Sequence, residues 1–186
     1  MRVNIDEIKD VGLRRSWDVP RETLDEIVAG EPAGFHARGP VHVDASFEKV
    51  ERRVRLSAHA TVKVEVACGR CLTPVTVDVP VDFALAFVPA DEYRDDDAER
   101  PRDDNGPSAA TFDPDAADEE TYEGKVIDLD PVLREQILLA LPNYPVCREG
   151  CKGLCTVCGT NLNEKECGCD RHVPDPRWAG LKDKLQ

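Results

Sequence analysis

The chain has no apolar run long enough to cross a membrane, no glycine-rich phosphate loop and no clustering of its four histidines, and each absence removes a class of function. A spanning helix needs about 20 apolar residues, and Met1 to Ile8 do not supply even the shorter apolar stretch of a signal peptide. A cytoplasmic protein is expected. His36, His42, His59 and His172 lie far apart, and the paired acids crowd into one segment, so no acid–base or nucleophilic constellation stands out. We therefore expect no enzyme. Disulfide staples are not needed for size either, because 186 residues can bury a sizeable core.

What the chain does have is eight cysteines in a restricted pattern, six of them between Cys147 and Cys169. In a reducing compartment, C-x-x-C and C-x-C pairs point to metal ligands rather than disulfides. Cys155 and Cys158, with Gly159 directly behind, have the spacing of a zinc knuckle: a tight turn aims two sulfurs at one ion, and the glycine tolerates positive φ. Cys167-Gly168-Cys169 returns as a second pair, and four thiolates at about 2.3 Å close a tetrahedral Zn²⁺ site with no open coordination position. Such a site is structural. Cys68, Cys71, Cys147 and Cys151 then form a second tetrad, which would clip the middle of the chain to its C-terminal part. Two Zn²⁺ ions per chain are expected. Grouping Cys151 with Cys155 is an alternative that spacing leaves open, as is His172 in place of a cysteine.

The net charge of −13 is unevenly spread. Asp91 to Asp130 hold sixteen acids against four bases, which leaves the remainder close to neutral and a local basic face allowed. Residues 91–123 read as an acidic flexible insert that cannot repay its ordering entropy. Before it, residues 1–90 read as the β-rich part of a core domain. Within them, Pro20 to Ala29 is a helix with Leu24, Ile27 and Val28 on one face. Period-two alternation then marks three strands, built on Val41–Phe47, Val54–Val66 and Val75–Phe87, with Pro80 arguing for an edge or a bulge on the third. Cys68 and Cys71 fall at the tip between the two longest strands. Residues 124–146 supply a short returning strand and a helix opened by Asp130-Pro131, whose Val132, Leu133, Ile137, Leu138 and Leu141 would cover the sheet. Residues 147–186 form a cysteine-rich module closed by a terminal helix carrying Trp178, Leu181 and Leu185. The expected class is α+β: an antiparallel β-meander or partly closed barrel packed by a helix, with a C-terminal zinc-knuckle module.

Several of these elements occur together in a known order. Cys68-Gly69-Arg70-Cys71-Leu72, Leu138 to Pro142, Pro145-Val146-Cys147, Cys151-Lys152-Gly153-Leu154-Cys155, Cys158-Gly159, Asn161-Leu162-Asn163, Cys167, Cys169 and Asp175-Pro176-Arg177 resemble the YceD family from about Val41 onward. The resemblance implies a bacterial and plastid factor needed for accumulation of the large-subunit ribosomal RNA, acting without catalysis in ribosome biogenesis. Its partner would be a precursor ribosomal RNA or a large-subunit ribosomal protein, with no membrane and no small-molecule substrate. If RNA is touched directly, Arg52, Arg53, Arg55 and Lys63 on the polar side of the meander, with Arg148 and Lys152 beside the metal, are the candidate contacts. Two competing readings stand beside this one. A thiol-disulfide protein would use Cys68 and Cys71, although a thioredoxin-like motif should open a helix and none follows here. A protein-interaction adaptor would use the exposed sheet face or the terminal helix.

Overall fold

Residues with alternating hydrophobicity can bury one side of a strand and leave the other wet, and the longest such runs set the architecture. In the computed structural model, which describes residues 1–92 and 119–170, the elements run β1 (Arg2–Asn4), a 3-10 turn (Ile5–Glu7), β2 (Leu13–Val19), α1 (Arg21–Val28), β3 (His36–Ala37), β4 (Val41–Val50), β5 (Arg53–Ala67), β6 (Pro74–Pro89), β7 (Glu119–Tyr122), β8 (Val126–Asp128) and α2 (Asp130–Ala140). The fold is α+β, mostly strand with two helices. β4, β5 and β6 form the expected antiparallel meander, with β2 added beyond β4 and β3 pairing one end of β5. Along β5, Val54, Leu56, Ala58, Ala60, Val62, Val64 and Val66 are all buried.

The sheet does not close into a barrel. Its order, β2-β4-β5-β6-β7, leaves β2 and β7 as separate ends of an open sheet. β7 is itself a departure, since residues 119–122 were expected in the acidic insert but add to β6 as a parallel strand. Tyr122 anchors it, buried and donating its hydroxyl to the Arg52 carbonyl at 2.6 Å. The strand expected between Glu123 and Leu129 is β8, yet it pairs with β1 outside the main sheet. Pro80 lies opposite Thr61 on a stretch of β6 that has only β5 beside it, so its missing N–H leaves no ladder bond unmade. The remainder of the insert and the expected terminal helix, with Trp178, Leu181, Leu185 and His172, lie outside the described residues.

Both helices cover the apolar face. Leu24, Ile27 and Val28 of α1, and Leu133 and Ile137 of α2 with Leu141 just beyond it, join Val41, Val43, Ala60, Val62, Val64, Val79 and Val81 in one buried cluster. Full burial of each large aliphatic side chain contributes on the order of 1.5–3 kcal/mol. The helix starts differ by one residue from expectation. Pro20 is the N-cap of α1, and Leu129 that of α2, where the Asp128 carboxylate accepts from the Asp130 N–H at 3.1 Å. Pro142 follows α2, and Pro145 accepts from the Gly69 N–H at 2.8 Å, which pins the chain leaving the helix to the β5–β6 tip.

Candidate metal centre

The β5–β6 connection and the 155–160 loop are the same turn built twice. In the first, the Cys68 N–H donates to the Thr73 carbonyl at 2.9 Å and the Leu72 N–H donates to the Cys68 carbonyl at 2.9 Å; in the second, Cys155 N–H to Thr160 and Gly159 N–H to Cys155 are both 2.8 Å. The residue behind the second cysteine has positive φ each time, 60° at Leu72 and 72° at Gly159. A threonine hydroxyl then sits beside that cysteine's sulfur, Thr73 at 3.4 Å from Cys71 and Thr160 at 3.2 Å from Cys158. The two knuckles share C-x-x-C-x-T. That recurrence is the sequence signal that would have identified Thr73 and Thr160.

The structure gathers the eight cysteines into two groups of four, Cys68, Cys71, Cys147 and Cys151 in one and Cys155, Cys158, Cys167 and Cys169 in the other, with sulfurs in each group within 4.8 Å of one another. This is the partition favoured by spacing; Cys151 and Cys155 stand in different groups. Sulfurs bound tetrahedrally to one Zn²⁺ at about 2.3 Å lie about 3.8 Å apart. Cys71 and Cys147 are 3.7 Å apart, and Cys68 and Cys151 are 3.9 Å apart. The donor set fits a thiophilic metal, because each group offers four sulfurs and no other ligand is needed to complete a tetrahedron.

Amide donors aim at these sulfurs. The N–H groups of Arg70 and Cys147 reach Cys68 Sγ at 3.4 and 3.3 Å, and Asn163 Nδ2 reaches Cys151 Sγ at 3.3 Å. Burial pushes the Cys68 thiol up, but the N–H groups of Cys71, Arg70 and Cys147 outweigh it and hold the thiol at about 6. Cys158 is also held at about 6, by the Thr160 hydroxyl first and the Thr160 N–H second. One thiol per group moves the other way. Hydrogen bonding to Cys151 leads in pushing Cys147 up to about 12, and hydrogen bonding to Cys158 leads in pushing Cys169 up to about 12. Four thiols this close cannot all ionise without a cation, and a divalent ion would displace the remaining protons.

The residues around the first group are fitted to each other. The Tyr144 ring lies against Gly69, where a Cβ would fall 2.6 Å from Cε2, and its hydroxyl donates to the Gly69 carbonyl at 3.1 Å. Arg70 donates from Nη1 to the Glu149 and Cys151 carbonyls at 3.1 and 3.2 Å. Sequence reasoning gave Arg70 and Asn163 only as members of ordered motifs and passed over Tyr144, because nothing in their spacing marks a side chain that supports a ligand.

The family described as "Large ribosomal RNA subunit accumulation protein YceD" matches residues 56–184, a span that holds all eight cysteines. The chain belongs to the YceD family. An uncharacterized protein of Mycobacterium tuberculosis is 33% identical over 147 residues, covering 77% of this chain and 61% of that protein. A protein of Zea mays named "Large ribosomal RNA subunit accumulation protein YCED homolog 1, chloroplastic" is 29% identical over 162 residues, covering 75% of this chain and 52% of its own length. The Arabidopsis thaliana protein of the same name is 24% identical over 152 residues, with coverages of 76% and 47%. This chain therefore spans about half to three fifths of the length of the curated relatives it matches. No solved structure matches it.

Within this YceD chain the basic residues singled out from sequence fall into two sets. Arg52 is clamped by Asp91 at 2.8 and 3.0 Å and by Glu92 at 2.7 Å, Arg53 pairs with Glu119 at 3.1 Å, and Lys63 pairs with Asp78 at 3.5 Å. These three are already neutralised. Arg55 on β5, and Arg148 and Lys152 beside the first cysteine group, form no ion pair among the described residues, although Arg148 Nη2 is held by Asn163 Oδ1 at 2.8 Å. The polar face of the sheet is of mixed sign rather than basic, with Asp18, Asp44 and Asp82 set against His42 and His59. Among the described residues no helix is long and apolar enough to cross a membrane.

Proposed function

We propose that this YceD protein is a non-enzymatic ribosome-biogenesis factor that supports accumulation of the large-subunit (23S) ribosomal RNA in the cytoplasm, with one structural Zn²⁺ in each cysteine tetrad. The observation that carries the reading is the coincidence of the family match with the two tetrads: the matched span, residues 56–184, is the one that holds every candidate ligand. Zn²⁺ held by four thiolates has no open position for water or substrate, so its contribution is to the fold. The first tetrad ties the β5–β6 tip to the chain leaving α2. A groove of about 500 Å³ between α1 and the start of α2 is lined by Asp18, Thr23, Glu26, Asp130 and Arg134 with apolar residues.

The partner is a precursor ribosomal RNA or a large-subunit ribosomal protein. With Arg52, Arg53 and Lys63 neutralised, direct RNA contact centres on Arg148 and Lys152, with Arg55 on the sheet. The test is depletion of the protein followed by complementation, reading the ratio of 23S to 16S RNA. Depletion should lower the ratio, and the wild-type chain should restore it. A ratio unchanged by depletion would overturn the proposal. The thiol-disulfide reading gains little support, since Cys68 is wholly buried and accepts several N–H bonds in an arrangement suited to a bound ligand.

A further inference from the structure

Cys151 and Cys155 are four residues apart yet serve different tetrads, so one short segment is common to both. Gly153 stands between them at φ 73°, with the Arg70 carbonyl 3.0 Å from where its Cβ would be. On one side of this segment the Leu154 N–H donates to the Arg70 carbonyl at 3.0 Å, inside the hairpin knuckle. On the other, the Leu162 N–H donates to the Gly153 carbonyl at 2.9 Å.

Asn163 completes the connection. It lies in the loop that leads from the second knuckle to Cys167 and Cys169, and its backbone N–H and Nδ2 both donate to Asn161 Oδ1, at 3.0 and 2.9 Å. The same Nδ2 donates to Cys151 Sγ at 3.3 Å, while Oδ1 accepts from the Lys152 N–H at 2.9 Å and from Arg148 Nη2 at 2.8 Å. A side chain positioned by the loop of one tetrad thus holds a sulfur of the other.

We propose that the two tetrads bind metal cooperatively and that Asn163 is the positioning residue that couples them. A metal ion on Cys155, Cys158, Cys167 and Cys169 fixes the loop carrying Asn161 and Asn163, and the ordered amide then supports the Cys151 thiolate in the first tetrad. Coupling of binding free energies is reciprocal, so filling the first tetrad favours the second equally. Partners that orient a ligand from outside the coordination sphere typically change metal affinity by 10–100-fold when removed. The inference rests on the tetrads being metal centres and adds the linkage between them.

The experiment uses the full chain and Co²⁺ as probe, with tetrahedral-thiolate absorption bands read against a competing chelator. Replacing the second tetrad's ligands, Cys158→Ser with Cys169→Ser, should weaken Co²⁺ at the first tetrad by about tenfold or more. Asn163→Ala alone should weaken it by a similar factor, and adding the Asn163→Ala change to the Cys158→Ser, Cys169→Ser chain should cost less than about a further twofold. Asn161→Ala, which leaves Asn163 in place but removes the acceptor that orients its amide, together with the Asn161 Nδ2 bond to Glu164 Oε1 at 2.8 Å, should give a smaller loss of the same sign. It decides the matter if Asn163→Ala does not fold. Independent losses that multiply, or a first tetrad indifferent to every one of these changes, would overturn the coupling. Failure of the wild-type chain to take up Co²⁺ at all would refute the metal reading beneath it, an outcome distinct from two sites that fill independently.

Discussion

Leu72 and Gly159 occupy the same place in the two knuckles, behind the second cysteine and at positive φ, yet only one of them is a glycine. A Cβ in the left-handed region costs roughly 1–2 kcal/mol, and the Leu72 side chain is 63% exposed, so packing does not offset that strain. Leu72→Gly should therefore leave stability unchanged or raise it by up to about 1 kcal/mol, whereas Gly159→Leu should lower it by about 1–2 kcal/mol, both read as shifts in urea midpoint with metal bound. Gly69 is constrained for another reason. Its replacement by alanine puts a methyl 2.6 Å from the Tyr144 ring, so Tyr144 must move and the tip must loosen, at about 1–3 kcal/mol in the same assay. Protons compete at these sites with a definite sign. Cys68 and Cys158, held at about 6, favour the native thiolate, and the stability they supply is present above the ordinary thiol value of 9 and lost as pH falls through 6. Cys147 and Cys169, pushed up to about 12, act oppositely: their contribution is present below 9 and lost as pH rises through 12. Bound metal needs all the thiolates, so acid should release it, with retention falling as pH drops through about 6 in a dialysis series. Release that grew toward alkaline pH would contradict this account.

Among the elements, α2 and the β5–β6 hairpin carry the candidate metal ligands into place, and their burial predicts which substitutions matter. Ile137 is fully buried against the sheet while Leu139 on the same helix is 71% exposed. Ile137→Ala should cost about 2–5 kcal/mol, and Leu139→Ala should stay within about 0.5 kcal/mol, both by urea unfolding. These elements were legible because each presents one apolar face: the β5 alternation and the buried trios of α1 and α2 follow directly from periodicity. β7 was not legible. Glu119-Glu120-Thr121-Tyr122 has no alternating pattern, sits at the end of an acidic run, and is held by parallel pairing with β6 and the Tyr122 hydroxyl bond, neither of which leaves a local trace. β1 and β8 are three-residue strands that exist through each other, too short for any period to show. Sheet closure was equally invisible, since side-chain patterning reports which face is buried and says nothing of which edges meet. Cysteine spacing pointed to the tetrads and the shared C-x-x-C-x-T marks the threonines, but the Cys147 and Asn163 donors to Cys68 and Cys151 emerge only once separate segments meet.

At the scale of the whole molecule, charge and sulfur have separate places. The acids concentrate between Asp91 and Asp130, and those nearest the sheet neutralise Arg52 and Arg53, which leaves Arg148 and Lys152, among the described residues, as cations without an ion pair beside the first tetrad. If that surface meets RNA, Arg148→Gln with Lys152→Gln should weaken binding to a large-subunit RNA fragment and make its dependence on salt shallower, with Arg52→Gln having little effect. Equal effects from both changes would argue against a contact centred on the cysteine module. The account as a whole depends on the cysteines being committed to metal, because that commitment makes the tip and the C-terminal segment one body. The most direct test is elemental analysis of the protein purified without added metal, combined with intact mass. Two zinc ions per chain with all eight thiols free of disulfide are predicted; zinc at one or none per chain, iron in its place, or a mass showing disulfides would contradict it.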